Sequence, residues 1–116
     1  MGWTKVMAVE SLAEGKRKFL KIDDRKVLII NYSGDIYAIE PICPHLKLPI
    51  KRGKITENGE IVCSFHRSKF DLKTGEVREW CTFPPLINKP LAKMSKEKPL
   101  SVFETRIEEG SIWVNI

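Results

Sequence analysis

Residues 43–66, CPHLKLPIKRGKITENGEIVCSFH, decide how this chain is read. Cys43 and His45 form a C-x-H pair, Cys63 and His66 form a C-x-x-H pair, and seventeen residues separate them. The chain's only two histidines and two of its three cysteines fall inside these motifs. Thiolates and imidazoles are metal donors, and a Cys₂His₂ set suits a structural zinc. A C-x-H pair is tight for one ion, because both side chains must reach it from alternate residues. A two-iron cluster relaxes that demand, since each loop can give its Cys to one iron and its His to the other. On donor chemistry alone, zinc and a two-iron cluster both stay open.

Outward from this stretch the pattern is that of strands. Residues 3–9 alternate loosely, and residues 11–17 read as a polar connection. Residues 18–22 and 27–32 flank an Asp23-Asp24 turn. Ser33-Gly34 turns the chain into residues 35–40, and Pro41 breaks pairing before the first Cys-His loop. Gly53 ends that loop. Residues 54–56 and 60–63 flank Asn58-Gly59, a type I′ hairpin signal. Residues 69–72 and 76–80 flank Thr74-Gly75, and residues 100–107 and 111–116 flank Glu109-Gly110. No segment shows sustained helical periodicity, so the expectation is an all-β chain. Residues 84–99 differ, with four prolines and four lysines. They read as a solvated connection or a basic docking loop, with room for a short helix over 91–96.

The C-P-H and C-x-x-H motifs, the proline inside the first loop, FDLKTGE at residues 70–76 and Trp113-Val114 in a terminal hairpin together resemble the Rieske [2Fe–2S] family. The similarity covers most of the chain. It implies one domain over residues 1–116, a Rieske-like antiparallel β-sandwich. A small cluster-binding subdomain, about residues 42–83, is inserted into its base sheet. It also implies a [2Fe–2S] cluster with Cys43 and Cys63 on one iron and His45 and His66 on the other. Ser68 matches a hydroxyl donor to the cluster sulfurs in the high-potential branch, whereas Phe70 has the ring but no hydroxyl. A low to intermediate potential follows within the family range of about −150 to +300 mV. Positions that carry a disulfide in the cytochrome bc branch are Leu48 and Phe65, so the likeness is to soluble Rieske ferredoxins. Lys47 and Arg67 stand where the family usually has glycine, and both would add positive charge beside the histidines. Pro44, Leu46, Leu48, Phe65 and Phe83-Pro84-Pro85 would shield the cluster. The wording SFHRSKFDL and WCTFPPL is similar to ferredoxin-like proteins of cyanobacterial or plastid type.

At 116 residues the chain is the size of one domain, with 42% hydrophobic residues. No apolar run approaches the eighteen residues of a membrane span. The start, MGWTKVMAVE, does not read as a secretory signal, and Val6 sits where a myristoylation motif wants Ser or Thr. Three cysteines argue against a disulfide framework, which points to a reducing, cytoplasmic compartment or a plastid stroma. Cys81 is left over and reads as a small buried hydrophobe. The net charge of +5, with pI near 9.2, serves solubility or points to an acidic docking site on a redox-protein partner or to an anionic surface. No nucleic-acid partner is expected, and the chain reads as a monomer.

A Rieske oxygenase needs a second, 2-His-1-carboxylate iron, and no histidines remain for one. The chain therefore reads as a one-electron carrier without a catalytic site of its own, moving electrons from a reductase to an oxygenase or reductase. Its alternatives are the small subunit of a larger, nitrite-reductase-type enzyme and a redox-sensing or structural metal module.

Overall fold

A computed structural model describes residues 2–42, 49–63, 68–79 and 99–116. Among them are ten strands: β1 Trp3–Ala8, β2 Arg17–Ile22, β3 Arg25–Tyr32, β4 Asp35–Ile39, β5 Glu60–Val62, β6 Lys69–Asp71, β7 Val77–Glu79, β8 Val102–Phe103, β9 Thr105–Glu108 and β10 Ser111–Asn115. The helical structure among these residues is one 3₁₀ turn, Val9–Ser11, which takes the last residue of the expected first strand and leads into the polar connection. The chain divides into a base unit, residues 1–40 with 102–116, and a second unit, residues 41–101.

Local backbone chemistry sets the base unit. β2–β3, β3–β4 and β9–β10 are antiparallel pairs joined by two-residue turns: Asp23-Asp24, Ser33-Gly34 and Glu109-Gly110. All six turn residues have positive φ, from 48° at Asp23 to 85° at Gly34. That is the type I′ geometry, whose twist matches that of the strands it joins. Pairs such as Ile22↔Arg25 and Tyr32↔Asp35 close the ladders at the turns, so register follows from turn length.

Two sheets result, ordered β1-β10-β9 and β2-β3-β4-β8. Ile22, Val27, Ile29 and Ala38 from the second sheet share one buried cluster with Ile112 and Val114 from the first and Leu12 from the connection. Leu28, Ile30 and Ile39 are buried as well, so four successive residues of β3, Val27 to Ile30, are hidden from solvent. Each such side chain contributes about 1.5–3 kcal/mol of transfer free energy. On the outer side of the first sheet, the Arg106 guanidinium lies 4.4 Å from the Trp3 ring centre and 5.8 Å from that of Trp113. Trp3 and Trp113 are thus half-buried sheet residues, stacked by a cation.

Sequence pattern and structure part company over residues 100–107, which read as one strand. The chain instead forms β8, paired to β4, then leaves that sheet at Glu104 and continues as β9, paired to β10. The crossing is held by the Asn115 amide donating to the Glu104 carbonyl at 2.9 Å and by Asn115 Nδ2 donating to Glu104 Oε1 at 3.1 Å. The Thr105 hydroxyl donates to the Ile36 carbonyl at 2.9 Å. A periodicity of two cannot reveal this switch, because the alternation continues through it.

The second unit contains the sheet β5-β6-β7 and the buried residues Ile50, Ile61, Phe70, Leu72 and Leu100. Residues 54–56 contribute a single bridge, Ile55↔Ile61, rather than a strand. Asn58-Gly59 is not a type I′ turn, since only Gly59 has positive φ. The Gly59 amide bonds the Thr56 carbonyl at 3.1 Å. Thr56 Oγ1 accepts from the amides of Asn58 and Glu60, both at 3.3 Å, and donates to Glu60 Oε1. That hydroxyl network favours a three-residue turn ending in a left-handed glycine.

Asp23-Asp24 is the type I′ turn without glycine, and both aspartates are exposed. Asp24→Gly should raise stability by about 0.5–1 kcal/mol by relieving a left-handed non-glycine residue. Urea unfolding at neutral pH measures it; an unchanged or lower midpoint would show that Asp24 is not strained.

Candidate metal centre

Both Cys-His loops are closed at their bases by backbone pairing. Ile42 bridges Pro49 across residues 43–48, and the Ile50 amide donates to the Pro41 carbonyl at 3.0 Å. The Cys63 amide donates to the Ser68 carbonyl at 2.8 Å, closing residues 64–67 between β5 and β6. Cys63 is 1% exposed and Ser68 fully buried. Of the expected site residues, these two are described. Cys43, His45 and His66 lie outside the described residues, as do Pro44, Lys47, Leu46, Leu48, Phe65, Arg67, Cys81 and the 84–98 stretch.

A turn over residues 50–53 joins the two bases. The Gly53 amide donates to the Ile50 carbonyl at 2.8 Å, and the Val62 amide donates to the Lys54 carbonyl at 2.8 Å. With the Ile55↔Ile61 bridge, residues 53–55 run antiparallel to β5, which sets Gly53 level with Cys63. The approach is close. A Cβ on Gly53 would sit 2.5 Å from the Val62 carbonyl oxygen, 3.0 Å from that of Ile50 and 3.1 Å from Ile61 Cγ1. Glycine is required here by space rather than by φ. The sequence marks Gly53 only as a loop end; its role depends on a backbone neighbour nine residues further on, Val62, which no local pattern exposes.

The turn therefore brings the base of the first loop beside the end of β5 that carries Cys63. The bases of the two loops, Ile42 with Pro49 and Cys63 with Ser68, are thus joined within one small unit. One buried thiol, a buried hydroxyl five residues later and a second loop rooted alongside fit a cluster that draws donors from two loops and excludes water. Lys51, Arg52 and Lys54 are exposed around the turn, while Ile50 and Gly53 are buried.

At the far end of β6, Asp71 holds the loop to β7. Its Oδ1 accepts from the amides of Lys73 at 2.8 Å and Thr74 at 3.0 Å, and its Oδ2 accepts from Arg78 at 2.9 Å. Burial works to raise the Asp71 carboxyl, but the Arg78 hydrogen bond and the two amides outweigh it and hold it below the usual carboxylate range. The Leu72 amide reaches the Gly59 carbonyl, and the Leu100 amide the Gly75 carbonyl.

The Rieske [2Fe-2S] domain model matches residues 2–104, and the chain belongs to that family. Its cofactor is accordingly a Rieske-type [2Fe–2S] cluster. Sulredoxin of Sulfurisphaera tokodaii is 27% identical over the whole of this chain and 98% of its own length. The biphenyl dioxygenase ferredoxin subunit of Pseudomonas sp. KKS102 is 28% identical over 99% of this chain and 93% of its own. Among solved structures, the ferredoxin of carbazole 1,9a-dioxygenase from Nocardioides aromaticivorans superposes with a TM-score of 0.77 at 21% identity, over 99% of this chain and 98% of its own. That likeness extends to the fold. With these relatives, the chain is an electron carrier of the ferredoxin type rather than a catalyst. No helix among the described residues is long and apolar enough to cross a membrane.

Two outcomes test this geometry. Gly53→Ala should cost about 1–3 kcal/mol, the scale of overpacking, and lower the iron retained per chain, since it pries the turn from β5. Iron and sulfide analysis with thermal unfolding checks it, and full retention at native stability would contradict the close approach. Asp71 is depressed in the folded state, so its stabilisation is complete above the unfolded value near 3.9 and is lost as pH falls through the lower folded value. Asp71→Asn should therefore be less stable than the native chain at pH 7, with the gap closing below about pH 4. Urea midpoints at both pH values measure this.

Proposed function

We propose that this chain carries single electrons from a reductase to a terminal oxygenase or reductase, on a cluster bound by Cys43, Cys63, His45 and His66. The observation that carries the reading is the shared root of the two Cys-His loops: Gly53 level with Cys63, and each loop closed by its own backbone pair. Relatives named as ferredoxin subunits of oxygenase systems support the choice of partner class. A bound cluster would supply a one-electron couple, at a potential above that of an all-thiolate site because His45 and His66 would replace two thiolates.

The chain's own residues do the rest. Cys63 would give its thiolate from a buried position, which would shield that charge from water. The Cys63–Ser68 backbone bond sets the width of the second loop. In this reading the Ser68 hydroxyl, on a buried residue, would donate to the cluster and stabilise its more negative, reduced form. Phe70 offers no second hydroxyl, which keeps the potential low to intermediate. With its positive balance, the carrier is suited to a partner with an acidic docking face. We place it as a monomer in a reducing compartment, the cytoplasm or a plastid stroma.

Anaerobically purified protein should be brown and give a rhombic Rieske EPR signal on reduction. Cys63→Ser should lose both, whereas a colourless protein holding one zinc would end the proposal. Ser68→Ala should keep the cluster and shift its potential negative by roughly 50 mV, the equivalent of about one hydrogen bond. Protein-film voltammetry reads this. An unchanged potential would assign the hydroxyl to the loop backbone instead.

A further inference from the structure

The 50–53 turn is more than a spacer between the two loops. Its ends, Ile50 and Gly53, are buried, and its two central residues, Lys51 and Arg52, are exposed. A turn with buried corners and an outward apex displays those apex side chains in a fixed place. Lys54 follows, exposed, with its carbonyl tied to the Val62 amide. These three cations sit between the Ile42–Pro49 base of the first loop and the Cys63 end of β5. At the opposite end of the sheet, Asp71, Glu76 and Arg78 are joined in one ion-pair group, with Lys73 exposed beside it.

We propose that the 50–53 turn is the electrostatic docking element of the cluster-bearing end, and that it receives a carboxylate-rich face of the protein redox partner. The assignment rests on the electron-carrier reading above. Charge placed at this end, rather than the net charge of +5, then governs association. Screening makes the distinction measurable. Lys73 lies beyond Asp71, roughly 10–15 Å further along the strands than the turn. The Debye length at 0.1 M ionic strength is about 10 Å. A charge at Lys73 is therefore largely hidden from a reagent approaching the Cys63 end, and a charge at Arg52 is not.

The test compares Arg52→Glu with Lys73→Glu in the holoprotein, two substitutions that change net charge equally. The dithionite-reduced protein gives one electron to ferricyanide, a trianion that becomes ferrocyanide, and stopped-flow absorbance follows the step. For a trianion about 10 Å from the altered side chain at 0.1 M ionic strength, Arg52→Glu should slow the reaction about fivefold. Lys73→Glu should slow it by less than about 1.5-fold. With the cationic oxidant tris(phenanthroline)cobalt(III), Arg52→Glu should accelerate the reaction instead. A fluorescein-labelled deca-aspartate peptide, read by anisotropy, should bind the native protein and Lys73→Glu in a salt-sensitive way and lose affinity for Arg52→Glu. Lys54→Glu is a second variant expected to follow Arg52→Glu. Equal effects of Arg52→Glu and Lys73→Glu, or ferricyanide rates insensitive to salt, would overturn the docking assignment while the visible spectrum stays that of a [2Fe–2S] protein. Absence of that spectrum in the native protein would instead overturn the carrier reading beneath it.

Discussion

The second unit depends on a backbone-to-backbone approach in which residue 53 has no side chain. Gly53 lies against the Val62 carbonyl so closely that a single methyl group has no space. From that contact follow the antiparallel run of residues 53–55 along β5, the position of the 50–53 turn and the common root of the two Cys-His loops. A cluster that takes donors from two loops needs those loops rooted together, and this approach contributes hydrogen bonds and a close backbone contact to that root.

The base unit solves a different problem by different means. It needs two stacked sheets in fixed register, and it obtains them from three type I′ turns and one strand that changes sheets. The turns set register locally, residue by residue. The switch at Glu104 ties the sheets through covalent chain as well as through the shared core. Asn115 and Thr105 satisfy the polar groups that such a crossing would otherwise leave without partners.

Where the physics is local, the sequence was legible. The turns at Asp23-Asp24, Ser33-Gly34 and Glu109-Gly110, and the strands they join, follow from residue type and alternation. The pairing of a Cys-His motif with a second one pointed to a metal, and the family likeness pointed to iron and sulfide. Illegible parts turn on neighbours distant in sequence or on side-chain competition. The Thr56 hydroxyl reshapes a turn that Asn58-Gly59 alone would have made type I′. Asp71 collects two amides and an arginine, and so ends β6 one residue early. The sheet change at Glu104 leaves no mark in a period-two pattern. Of the expected ligands, Cys63 and the neighbouring Ser68 are placed by the structure, whereas Cys43, His45 and His66 fall outside the described residues.

The pairing of β8 with β4 is short, Ile39 with Val102 and Ala38 with Phe103, yet it encloses everything from residue 40 to residue 101. Both ends of the metal-binding segment thus leave and re-enter the base through neighbouring rungs of one ladder. A loop whose ends are already together can be lengthened at small entropic cost, about 0.6 kcal/mol for each doubling. The segment is in effect a cassette on a two-rung mount.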